Sequence, residues 1–307
     1  MASCCKEDLA TTFDVPKANI YVAIDNKIQN ILEKDIDENL LYNWSREDGD
    51  LYYSHGPEKV YGNIVNLTDE ETISQEFNVF SNNYIYLDYR KQYDVFLFSN
   101  ANLYCKPTGA VNNFEYTNKY EPIEQCKEIY AGCNEYPFMH SIIIEMQPIS
   151  YIYVFQLIIY NDDKSLEMGV ESVEYMGLSG VSKKFDLSHF KPLDELGVIE
   201  TFKVKNIQYY EDYGVVAERF VTFGIGDDID SSWNTEDSNC EFGLSIRMKD
   251  GTLKHGKANI TRQLKNKPYG GVINIVIKNS DITSPYEDET MEVYVEDWDT
   301  HEIYIDF

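Results

Sequence analysis

The sequence predicts an all-β chain folded into sandwiches. Three observations carry the prediction. Short runs of alternating apolar and polar residues recur along the chain with turn residues between them. Aromatic usage favours a pleated, half-buried surface, with 25 Tyr and 15 Phe against 3 Trp. Stretches with helical spacing are few.

Taken in order, residues 1–18 read as a polar lead ending near Pro16. NIYVAI (19–24) alternates, with Ile20, Val22 and Ile24 on one face. In 25–44, Ile28, Ile31, Leu32 and Ile36 have helical spacing inside an acidic stretch, so a short helix or structured loop is expected. Residues 45–63, rich in Gly, Asp and Ser with Pro57, read as turns and short strands. YIYLDYRKQYDVFLFSN (84–100) holds two alternating runs about a polar turn at Arg90–Gln92. Residues 101–140 are loop-like and hold three of the six cysteines.

SIIIEM (141–146) and YIYVFQLIIY (151–160) follow, then ETFKVKNIQYY (200–210) and ERFVTFGI (218–225). In FGLSIRMKDGTLKHGKANI (242–260), Leu244, Ile246 and Met248 alternate into Asp250-Gly251. Asp-Gly suits a type I′ hairpin turn, because both residues tolerate positive φ. GVINIVIKN (271–279), MEVYVEDW (291–298) and HEIYIDF (301–307) complete the series. The last two, separated by Asp299 and Thr300, are expected to form a tight hairpin or a bulged edge. A boundary near Gln147–Ser150 gives a tether over 1–18, a first sandwich over 19–147 and a second over 148–307.

Charge narrows the partners. With 26 Lys and Arg against 53 Asp and Glu, the 307 residues carry a formal charge of −27. Nucleic acid and direct docking on an anionic membrane both need basic patches, and none is visible. The acids are spread along the chain, which fits a solvated surface or, more specifically, calcium binding. The longest apolar stretch, YIYVFQLIIY, is too short to span a bilayer.

No motif places catalytic groups, so a non-enzyme needing no cofactor is expected. GLSG (177–180) lacks the Gly at 181 that a nucleophile elbow would need. HEIYI (301–305) has no second histidine, and GIGDDI (224–229) lacks the third glycine of a dinucleotide loop. His55, His140, His189, His255 and His301 are scattered, and Cys105 with His140 form no motif. The best metal candidate is GDDIDSSWNTEDSN (226–239), where Asp228, Asp230 and Ser232 alternate. It departs from the EF-hand pattern, with no Gly at the sixth position and Asn239 at the twelfth, and a solvated loop is the competing reading. Cys105, Cys126, Cys133 and Cys240 lack zinc-ligand rhythm. Cys126 and Cys133 fit either a disulfide or two isolated thiols. Trp44, Trp233 and Trp298 could stack on sugar rings or simply pack.

Four stretches together resemble the fimbrillin-anchor type of lipoprotein of Bacteroides-like bacteria. They are CKEDL (5–9), RKQYDVFLFSN (90–100), VEYMGLSGVSKKFDL (173–187) with FVTFGI (220–225), and LSIRMKDGTLKHGKANITRQL (244–264) with VYVEDWDTHEIYI (293–305). In RKQYDVFLFSN, Gln92 replaces the family's usual glycine-like turn position, and residues 25–80 match least. The resemblance implies two tandem transthyretin-like, Greek-key sandwiches and a fimbrial anchor, subunit or adhesin. It also implies attachment to the outer membrane through a lipid on Cys4, facing the cell exterior. Ala2-Ser3 before Cys4 suits the lipoprotein peptidase, and Lys6-Glu7-Asp8 resembles a surface-export signal; Cys5 has no assigned role. The implied partners are fimbrial subunits or host and bacterial surface ligands. Contact would run through sheet edges, formed or bordered by the terminal strands 19–24 and 291–307. The alternative is a glycan- or calcium-binding sandwich module.

Overall fold

The computed structural model describes residues 17–52, 56–68, 71–88, 91–99, 105–108, 113–116, 130–136, 141–164, 167–182, 184–186, 190–194, 196–201, 204–225, 240–283 and 294–295. The alternation of NIYVAI becomes strand β1 (Lys17–Ile24), with Ala18, Ile20 and Val22 buried. The acidic stretch after it resolves as a helix, α1 (Lys27–Asn39). Ile28, Leu32 and Ile36 form its buried stripe and Ile31 stays exposed. Next come β2 (Lys59–Asn66), β3 (Thr72–Asn78), β4 (Asn82–Tyr86), β5 (Tyr93–Phe98), β6 (Cys105–Thr108), β7 (Asn113–Tyr116), β8 (Tyr130–Tyr136) and β9 (Ser141–Pro148).

One seven-stranded sheet runs β3-β2-β5-β8-β9-β1-β4. In it β1 lies parallel to β9 and antiparallel to β4. The two alternating runs of 84–100 are therefore strands but not neighbours: β5 sits between β2 and β8, and β4 is an edge. Asn83 explains the choice. Its side chain accepts from the Asn78 N–H (2.8 Å) and donates to the carbonyls of Asn78 (2.9 Å), Ser81 (3.0 Å) and Ile20 (3.2 Å). That buried amide ties the turn before β4 to the backbone of β1.

The remaining strands are β10 (Tyr151–Tyr160), β11 (Val170–Ser182), β12 (Lys184–Asp186), β13 (Lys191–Pro192), β14 (Leu196–Thr201) and β15 (Lys205–Asn206). They continue with β16 (Gln208–Tyr209), β17 (Tyr213–Thr222), β18 (Glu241–Met248), β19 (Leu253–Asn259), β20 (Gly270–Lys278) and β21 (Tyr294–Val295). Short helices α2 (Thr261–Asn266) and α3 (Asn279–Thr283) flank β20. One sheet runs β16-β17-β10-β20-β21 and another β14-β11-β18-β19, with β15 added on β11. These two face each other through Phe155 of β10 and Phe242 of β18, whose rings stack with centroids 4.8 Å apart. A fourth sheet, β13-β12-β7-β6, mixes distant parts of the chain, with Phe114 opposite Phe185.

Two local expectations are corrected or refined. At Asp250-Gly251 only the glycine has positive φ (89°), so the turn is not type I′. The Gly251 N–H bonds the Met248 carbonyl at 2.9 Å, and the Met248 N–H bonds the Thr252 carbonyl at 2.8 Å. This is the three-residue hairpin, a tight turn followed by a left-handed glycine. Asp250 Oδ1 accepts the Thr252 N–H at 2.8 Å, which satisfies the side chain with its residue outside the left-handed region. GLSG lies within β11, where the register shifts between Ser179 and Val181 around Gly180 at φ 78°.

Helix α1 and the segment after it dock on the sheet containing β10, β17 and β20. Asp35 takes the Lys267 ammonium on Oδ1 (2.5 Å) and the Val272 N–H on Oδ2 (2.6 Å). Gly271 permits this approach: its φ is 146°, and a Cβ there would strike the Asp35 carboxylate. Fully buried Gln156 accepts from the N–H groups of Leu41 (2.6 Å) and Tyr42 (2.8 Å). It donates to the Asn39 carbonyl (3.3 Å) and Asn274 Oδ1 (2.9 Å). Gln208 brackets Asn43 in the same way, accepting from its N–H (2.8 Å) and donating to its carbonyl (3.0 Å). Polar groups thus replace apolar packing where an irregular segment crosses a sheet face, because its backbone donors need acceptors.

Candidate functional site

The described residues contain no group of three or more His, Cys, Asp or Glu side chains able to hold a metal ion. Cys4, Cys5, Cys126, Asp228, Asp230, Ser232, Asn239, Trp233 and Trp298 lie outside the described residues, as do His55, His140, His189 and His301. Cys105 and Cys133 fall in β6 and β8. Cys240 is a buried free thiol that meets the Gly180 carbonyl at 3.2 Å, and burial pushes its pKa up to about 12. Its burial makes it a packing residue. His255 pairs through Nδ1 with Ser245 Oγ at 2.7 Å across β18 and β19. Trp44 is half-buried; its Nε1–H bonds the Gly49 carbonyl at 3.0 Å and its ring covers Lys205, so it is not an open platform.

What the fold does expose is sheet edges, and most of them are guarded. Natural edges resist stray pairing by charge, proline or shortness. In β19, Lys254, His255 and Lys257 fall within seven residues. The sequences of β6 and β13 each hold a Lys and a Pro. Strand β16 spans two residues, and of the segment holding β21 only Tyr294–Val295 is described. Edge β3 carries Glu76, paired with Lys59 at 2.6 Å, and β14 carries Glu200, which accepts the Tyr175 hydroxyl at 3.0 Å. Among the edge strands described over more than two residues, the exception is β4, Asn-Asn-Tyr-Ile-Tyr, which holds no charge in a chain that is 26% charged.

The two terminal strands differ in their place. β1 does not form an edge, because β9 and β4 use both of its sides; it borders the edge strand β4. In the 291–307 segment, Tyr294–Val295 forms β21 at the border of its sheet, beside β20, and the other residues lie outside the described ones.

Alternation in β4 sends Ile85 into the core and puts Tyr84 and Tyr86 on the outer face, 60% and 61% exposed. Their partners on β1 are Asn19 and Lys17, and the Lys17 ammonium lies 5.5 Å from the Tyr86 ring centre. Asn19 Nδ2 donates to Asn82 Oδ1 (3.0 Å) and Ser141 Oγ (3.3 Å), which links β4, β1 and β9 on that face. Among the described residues no strand pairs with the outer side of β4, which leaves an edge beside an aromatic and amide surface. The sequence signal for it was available in the uncharged NNYIY (82–86). It was hidden because residues 84–86 read as part of one of two alternating runs about a polar turn.

No protein-family model matches the sequence, and no curated protein does. Solved structures match end to end. A candidate adhesin from Bacteroides ovatus aligns at a TM-score of 0.53 with 8% identity, covering 94% of this chain and 95% of that one. The fimbrial anchor protein Mfa2 from Porphyromonas gingivalis aligns at 0.51 with 10% identity, covering 94% and 99%. This chain shares their fold. A candidate polysaccharide-binding protein from Bacteroides thetaiotaomicron does so too, at 0.52 and 10% identity over 94% and 98%. The likeness bears out the all-β class expected from the alternation, and it spans nearly the whole of each chain.

Proposed function

We propose that this chain is a cell-surface adhesion or fimbrial-assembly protein that engages its partner by strand addition at β4. The observation that carries the proposal is the uncharged edge Asn82–Tyr86 among guarded ones. An added strand would take main-chain hydrogen bonds from that edge and lay alternate side chains against Tyr84 and Tyr86. The names of the structural neighbours, adhesin and fimbrial anchor, support the setting. In this reading the protein is not an enzyme, and its partners are fimbrial subunits or surface ligands. Residues 1–18 are its tether, and a lipid on Cys4 holds it to the outer membrane, facing outward. The units 19–147 and 148–307 are the two sandwiches. The double variant Asn82→Lys/Tyr84→Lys tests the edge. Adhesion or assembly is lost while thermal unfolding is unchanged; full assembly by the variant removes the proposal. Lipid labelling abolished by Cys4→Ala tests the anchor separately.

One observation favours a second reading, glycan binding. Tyr84 is exposed beside Asn19 and Asn82, the mixture of stacking and amide groups that sugars use. A glycan array without hits disposes of it.

A further inference from the structure

Lys205 is the one lysine in the buried set of described residues, and it is surrounded by the groups that an amide-forming reaction uses. Its Nζ donates to the Ala217 carbonyl at 2.7 Å. Two carboxylates face it, Glu218 Oε2 at 3.0 Å and Asp48 Oδ1 at 3.8 Å. The three side chains are only 6%, 12% and 13% exposed. Trp44 closes the site, with its ring centre 5.2 Å from Nζ. Three elements converge here: β15 brings the amine, β17 brings Glu218, and a single 3₁₀ turn (Arg46–Asp48) brings Asp48.

The Asp48 carboxyl is held by donors on both oxygens. Oδ2 accepts from Ser45 N–H at 2.9 Å and Ser45 Oγ at 2.8 Å, and Oδ1 accepts the Tyr42 hydroxyl at 3.4 Å. A fixed carboxyl carbon, an amine and a second carboxylate able to carry protons are the parts of an amide-forming site.

We propose that Lys205 and Asp48 condense into an intramolecular isopeptide cross-link, with Glu218 as the proton carrier. Glu218 takes a proton from the Lys205 ammonium, frees the Nζ lone pair and passes that proton to Asp48 Oδ1, so that a carboxylic acid and not a carboxylate is attacked. Nζ attacks Asp48 Cγ and the N–C bond forms, while the Ser45 donors hold the developing negative charge on Oδ2. The Cγ–Oδ1 bond then breaks. Two protons that began on Nζ pass through Glu218 to Oδ1, which leaves as water, and one stays on the amide nitrogen. An ammonium and a carboxylate become a neutral amide and water, so nothing is oxidised or reduced and no co-reactant is needed. Proximity supplies the rate, because the fold fixes amine and acid side by side. Burial favours the neutral amide over the Lys205–Asp48 ion pair, and the one proton left on the amide nitrogen remains as a donor to the Glu218 carboxylate. The bond would tie the segment after α1 covalently to the sheets of the C-terminal half.

Mass spectrometry of the denatured full chain decides it. Wild type is expected to be lighter than its sequence mass by one water, and Lys205→Arg is expected at full mass. A tryptic digest of wild type is expected to yield a branched peptide joining Asp48 to Lys205, with no cleavage after Lys205. Glu218→Gln, with folding checked by circular dichroism, is expected at full mass. Wild type at full sequence mass with ordinary cleavage after Lys205 overturns the cross-link, whatever the variants do. A Glu218→Gln chain that still lacks one water overturns the assigned role of Glu218.

Discussion

Gln156 is where the docked segment is most exposed to attack by substitution. Gln156→Leu keeps the volume and removes every polar contact at a residue with no exposure. It strips the acceptor from the N–H groups of Leu41 and Tyr42 and the donor from Asn39 O and Asn274 Oδ1. Each buried group left unpaired costs about 1–3 kcal/mol. Leu41 is 47% exposed, so water recovers part of that loss. The expected net is about 2–4 kcal/mol, a large share of the roughly 5–15 kcal/mol that holds a typical domain together. Urea unfolding measures it as a lower midpoint at unchanged slope. Trypsin gives a local readout, because Arg46 lies in the released segment and its cleavage in the native state should quicken. A loss below about 1 kcal/mol with unchanged cleavage at Arg46 would refute the claim that this amide fastens the segment.

Three further outcomes are expected. Asp35→Ala removes the partner of both Lys267 and the Val272 N–H, so thermal unfolding should drop by the equivalent of about 2–3 kcal/mol; an unchanged midpoint contradicts the clamp. Alkali should destabilise the fold. Burial raises Tyr151 and Cys240 to about 12, from ordinary values of 10 and 9. Their contribution is complete below the unfolded values and is lost as pH rises towards 12, at up to ~1.4 kcal/mol per pH unit for each group. Melting curves from pH 8 to 11 should fall at the upper end, and Tyr151→Phe should flatten the fall. The Cys240 thiol itself should resist alkylation at pH 8 in the native state and react on unfolding; native reactivity would contradict its burial.

Much of the fold was legible because side-chain alternation is a direct record of which face is buried. Ile20 and Val22 of β1, and Leu244, Ile246 and Met248 of β18, are all buried as their spacing implies. The same rule is silent about neighbours. Nothing in 84–100 says that β4 pairs with β1 instead of β5; that is set by the Asn83 amide, whose partners lie up to 63 residues away. The type I′ expectation failed for a related reason, since Asp250 has an alternative in bonding the Thr252 N–H. The Lys205 cluster could not be read at all. Asp48, Lys205 and Glu218 have no spacing signature, and only the docking of α1's trailing segment brings them together. The guarded and unguarded edges were present in the sequence as charge patterns, but their meaning depends on knowing which strands end a sheet.

The central claim is that β4 is the contact edge. The direct test places a photo-crosslinking amino acid at Tyr84, and separately at Lys254 on the lysine-guarded edge β19, in the full chain on intact cells of its own host. Irradiation should join Tyr84 to a single surface protein and leave the Lys254 position unlinked. Equal labelling from both positions, or none from Tyr84, would contradict it.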